Sequence, residues 1–79
     1  MDDVKYYIRD LNQIDTLYRS YWDGDMFYFQ WRDGLVGHWH NLFNNNDPRI
    51  IENYKKHMLR ADYIEITKAE AFLHILSNS

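Results

Sequence analysis

Apolar and polar positions change period several times along the chain. Val4, Tyr6 and Ile8 alternate with Lys5, Tyr7 and Arg9, the period-two pattern of a strand with one buried face. The spacing then shifts to threes and fours at Leu11, Ile14, Leu17, Tyr18 and Tyr21. That spacing predicts a helix from about Leu11 to Trp22, with Asp10 as its N-cap. A competing reading makes residues 17–22 a strand, and it would set Arg19 beside Leu17 and Tyr21. Asp23-Gly24 ends the segment, because glycine enters the left-handed conformation at little cost.

The next stretch carries the clearest local signal. Met26 to Arg32 and Leu35 to His40 are two β-prone runs divided by Asp33-Gly34, which predicts a hairpin over 26–40 with a type I′ turn. Phe27, Phe29 and Trp31 are expected to face the core, joined by Leu35 and Trp39. Met26, Tyr28, Gln30 and Arg32 then face outward. Asn44-Asn45-Asn46-Asp47-Pro48 reads as a loop followed by a helix start, with Asp47 as N-cap and Pro48 in the first turn. The helix runs to Arg60 on an apolar stripe of Ile50, Ile51, Tyr54 and Met58. Tyr63 to Ile66 alternates as a short strand. Thr67-Lys68-Ala69-Glu70 forms a capping box for a last helix that turns Ala69, Phe72, Leu73 and Leu76 inward. Residues 77–79 are expected to fray.

These elements predict one compact α+β domain over residues 1–79. The order β-α-β-β-α-β with an extra C-terminal helix matches the split βαβ arrangement of ferredoxin-like folds.

Size and composition narrow the classes. A chain of 79 residues closes one modest core, and a domain this small buries roughly 60–65% of its unfolded surface. Fourteen aromatic rings (three Trp, seven Tyr, four Phe) let it do so without staples. There is no cysteine, which excludes disulfides and thiolate zinc sites and points to a cytoplasmic protein. The acidic start at Met1-Asp2-Asp3 is unlike a signal peptide, and no run is long enough to span a bilayer. A formal charge of −3 argues against holding duplex nucleic acid by general phosphate neutralisation.

The candidate chemistry is sparse. His38 and His40 lie two apart on a predicted strand, a spacing that chelates a divalent metal when a third ligand, such as His57 or His74, arrives from elsewhere. Histidines on an open sheet face are more commonly half-exposed polar residues, so no metal and no cofactor is assigned. Ser20, Ser77 and Ser79 have no adjacent base to activate them. Asp23 and Asp25 flank a glycine where aspartate serves the turn itself. The three glycines make no phosphate loop, although Gly37 inside a strand marks a bulge or a close approach. No catalysis is expected.

The predicted outer sheet face is richer. It gathers Tyr7, Arg9, Met26, Tyr28, Gln30, Arg32, His38 and His40, rings interleaved with basic groups. Such a surface resembles the one on which RNA-recognition domains stack unpaired bases, although the Lys/Arg-Gly-aromatic consensus of that family is missing. Tyr, Trp, Met and Arg are also the residues that concentrate at the centres of protein interfaces. The expected partner is another protein, with a second copy of this chain and single-stranded nucleic acid as the alternatives. In general appearance the chain resembles the accessory proteins with which bacteriophages and mobile elements block host enzymes or defence systems. That likeness implies steric action, with Asp23, Asp25 and Asp33 meeting a basic rim on the target.

Overall fold

The computed structural model describes residues 3–9, 16–34 and 36–77. Five strands and two helices follow one another as β1 (Lys5–Arg9), β2 (Tyr18–Trp22), β3 (Phe27–Asp33), β4 (His38–Asn45), α1 (Pro48–Arg60), β5 (Tyr63–Ile66) and α2 (Lys68–Ser77). The strands form one antiparallel sheet in the order β4-β3-β2-β1-β5. The domain is α+β, but the split βαβ order does not hold: β1 to β4 are neighbours in sequence order, and only β5 returns across the sheet to pair with β1.

The helix expected over 11–22 is corrected over its last turns, because Tyr18–Trp22 is a strand; its first half, with the Asp10 cap, lies outside the described residues. Tyr18, Ser20 and Trp22 pair opposite Trp31, Phe29 and Phe27, whereas Arg19 and Tyr21 pair opposite Gln30 and Tyr28. Residues directly opposite share a face of the pleat. Both faces of β2 therefore carry rings, and rings on both faces happen to fit a helical stripe as well.

The turn after β2 is built by Asp23. Its Oδ1 accepts from the backbone N–H of Asp25 at 2.8 Å and of Met26 at 2.9 Å, and Gly24 takes φ +107°. The β3–β4 hairpin is present, but not with the two-residue turn expected at Asp33-Gly34. Strand β3 runs through Asp33 and β4 begins at His38, and the connection is closed by the Gly37 N–H donating to the Asp33 carbonyl at 2.8 Å with Gly37 at φ +66°. A bulge interrupts the ladder further along. Phe29 faces Phe43 but Gln30 faces Asn41, so Leu42 is an extra residue on β4.

Helix α1 spans the predicted residues. Asp47 caps it by accepting from the Arg49 N–H at 2.9 Å. Its Ile51, Tyr54 and Met58 pack on one face of the sheet, against Phe27 and Phe29 with Tyr7, Tyr18, Phe43 and Tyr63 around them. Ile50, expected in the stripe, is exposed. At α2 the capping box forms as predicted, with the Thr67 N–H donating to Glu70 Oε1 at 3.0 Å and the Glu70 N–H donating to Thr67 Oγ1 at 3.1 Å. The bond donated by the Thr67 N–H holds the Glu70 carboxyl below its usual range. The stripe expected to turn inward is a correction, since Ala69, Phe72, Leu73 and Leu76 are all exposed and Ala71 is the buried contact. Helix α2 lies against β1, which a methyl side chain permits at close range. Among the described residues, no helix is long and apolar enough to cross a membrane.

Candidate functional site

The ladder register sorts the eight residues expected on one outer face into two groups. Tyr7 pairs opposite Tyr18, Tyr18 opposite Trp31, and Trp31 opposite His40. Tyr7, Arg9, His38 and His40 therefore share the face of Phe29, the helix face. Tyr28, Gln30 and Arg32 lie on the other one, and Met26 precedes β3. For the histidines the physical reason is parity: a loop with an even number of residues, two as expected or four as found, sets an odd-numbered position of β3 opposite an even-numbered one of β4, so Trp31 and Trp39 cannot share a face. Trp39, expected in the core, consequently pairs with Arg32 and faces outward, and Leu35 lies outside the described residues.

On the helix face the four displaced residues have structural partners. Tyr7 shares a 3.1 Å hydrogen bond between its hydroxyl and Ser20 Oγ and meets Phe29 edge-on. Arg9 lies 5.1 Å from the centroid of the Tyr63 ring and donates from Nε to the Ala61 carbonyl at 3.2 Å. The His40 ring stacks on Trp31 at 4.6 Å and meets His38 at 4.8 Å, with its Nε2 3.6 Å from Asp33 Oδ2. Among the described residues, no three His, Asp or Glu side chains are placed to hold a metal ion, and His57 and His74 do not complete a set. The same face opens into a groove of about 1060 Å³ lined by Lys5, Tyr7, Trp22, Phe27 and Lys55. Asp3, Asp23 and Glu65 also line it, so its charge selects neither anions nor cations.

The outer face has a connected centre that spans three strands. Arg19 on β2 donates from Nε to Gln30 Oε1 on β3 at 2.7 Å, and Gln30 Nε2 donates to Asn41 Oδ1 on β4 at 2.7 Å. The Arg19 guanidinium lies 4.1 Å from the centroid of the Trp39 ring and 5.4 Å from that of Tyr21. Tyr6 flanks Trp39 at 6.5 Å, and Tyr21 stacks on Tyr28 at 5.2 Å. Gln30 is 8% exposed, yet Arg19, Tyr21, Tyr28, Arg32 and Trp39 are only half-buried, and Asn41 and Asn44 are exposed. Gln30 is thus not an exposed contact as expected; it is the covered bridge that aligns its neighbours. Desolvation lowers the Arg19 pKa below its ordinary value. At the rim, partial desolvation and then the Asp23 carboxylate raise the Tyr28 phenol above its ordinary value.

The strand residues that point this way include Arg19 and Arg32 and no Asp or Glu. On a chain of formal charge −3 this is a local positive field ringed by aromatic side chains. Three of its residues, Tyr28, Gln30 and Arg32, were legible in the sequence. Tyr6, Arg19, Tyr21, Trp39 and Asn41 were not, and the signal that finds them is the strand reading of 17–22 combined with an even-length loop.

No protein-family model, curated protein or solved structure matches this chain.

Proposed function

We propose that this domain is a non-catalytic binding module that docks the outer face of β2, β3 and β4 onto another protein and acts by covering that protein's surface. One observation carries the reading: the face concentrates Tyr, Trp and Arg around the Arg19–Gln30–Asn41 bridge while excluding acids from its strand positions. Tyr, Trp and Arg supply most binding energy at protein interfaces, because they present large area at a modest entropic cost. The fixed bridge lowers that cost further by aligning the side chains before the partner arrives. Steric occlusion of this kind is how the accessory inhibitors that the chain resembles in general appearance act.

Site-directed photocrosslinking tests the reading. A photoreactive side chain in place of Tyr28 should yield one discrete protein adduct, while the same group in place of Glu52 on α1 should yield none. For the captured protein, Tyr28→Ala should then weaken binding by about 2 kcal/mol or more, read by calorimetry, with the fold retained. Equal adducts from both positions, or binding indifferent to Tyr28, would sink the proposal.

A further inference from the structure

We infer that the Arg19 guanidinium is the anchor point for a carboxylate carried by the partner protein, an inference that rests on the docking role proposed for the outer face. Arg19 keeps its charge at any physiological pH, and it sits partly withdrawn from water between Trp39 and Tyr21. A partly desolvated cation is ordinarily matched by an anion. Among the described residues no carboxylate lies within ion-pair distance of it. The groups around it are a neutral amide oxygen and π faces. Those groups fix its plane and consume its Nε edge, so the terminal pair of nitrogens forms the planar fork that matches the two oxygens of a carboxylate. Gln30 cannot swing aside without breaking its own 2.7 Å bond to Asn41. The chain therefore holds one half of a bidentate ion pair in position.

Two features favour a protein carboxylate over the phosphates of a single strand. Base stacking takes the flat faces of aromatic rings, and here Trp39 and Tyr21 already have the guanidinium against them, while Tyr21 and Tyr28 stack on each other. Strand binding also relies on many phosphate contacts, whereas this face offers two arginines on a chain of net charge −3.

The test uses the full chain, labelled with nitrogen-15, with an N-acetylated glutamate decapeptide and a thymidine decanucleotide as probes at equal ionic strength. The peptide should shift the Arg19 Nε–H and Trp39 indole N–H signals saturably. Arg19→Lys, which keeps the charge and loses the fork, should weaken that binding by about tenfold or more. Arg49→Lys, on exposed α1, should leave it unchanged. Saturation by the nucleotide with none by the peptide overturns the inference in favour of phosphate, and silence toward both removes the anchor outright. The two readings are separable: if Tyr28→Ala weakens binding of the captured protein and Arg19→Lys does not, the face is the interface and the carboxylate anchor is wrong, whereas binding indifferent to Tyr28 removes the docking reading itself.

Discussion

The two faces of the sheet are made of similar residues and end in different states. On the helix face Phe29 is fully buried, with Tyr7, Tyr18, Tyr54 and Tyr63 packed around it at ring separations of 5.2–5.9 Å. Ring meets ring there, and α1 closes the layer. On the outer face Trp39 and Tyr21 meet a guanidinium, and the centre is an amide bridge. Aromatic content therefore does not decide which side of a small sheet becomes core. The decisive difference is what lies between the rings: hydrocarbon, which needs a cover, or directed donors and acceptors, which need fixed partners and tolerate water.

The sharpest way to break the comparison is to remove the centre of each face. Phe29→Ala should destabilise the domain by about 3–5 kcal/mol, enough to unfold most of it, read by urea denaturation. A loss below about 1 kcal/mol would mean that the ring cluster is not the core. Gln30→Ala should cost about 1–3 kcal/mol, because it strips a partner from both Arg19 and Asn41 and leaves a partly covered donor unmet. Double-mutant cycles should show Arg19 and Asn41 uncoupled in that background, and simple additivity in the parent would refute the bridge. The smallest effect lies at the rim. Backbone bonds from Asp25 and Met26 hold the Asp23 carboxyl below its ordinary pKa. A depressed folded-state value means that its contribution is present above the unfolded-state pKa and fades as pH falls through the folded one. Parent and Asp23→Asn should therefore converge in thermal midpoint below the ordinary carboxylate range and differ above it.

Local chemistry was legible in the sequence wherever one residue type fixes one geometry. Asp47 with Pro48, Thr67 with Glu70, and the Asp23-Gly24 turn stand close to where their side chains or missing side chains require, whereas Gly37, expected inside a strand, lies in the turn before β4. What could not be read is anything set by counting across a gap. Tyr18, Tyr21 and Trp22 satisfy both a helical stripe and a two-faced strand, and the arbiter is Trp39, a partner for Arg19 seventeen to twenty-one positions downstream of them. The face of His38 and His40 follows from the even parity of the β3–β4 loop, which the Asp33-Gly34 turn already implied, whereas the loop's length of four residues in place of two is announced by no single residue. Phe72, Leu73 and Leu76 show the converse: an apolar spacing records that a helix has two sides without saying which side meets the sheet.

The extra residue at Leu42 has an effect beyond aiming side chains. Strand β4 lies at one end of the sheet order, and its outer row of backbone N–H and C=O groups is a template on which further chains could add. A kink in such a border discourages that growth. Excising Leu42 would leave Trp39 and Phe43 on their present sides but straighten the border, and slow fibrillar self-assembly, followed by light scattering, is the expected outcome. The irregularity would then guard against polymerisation without deciding on which side the indole lies.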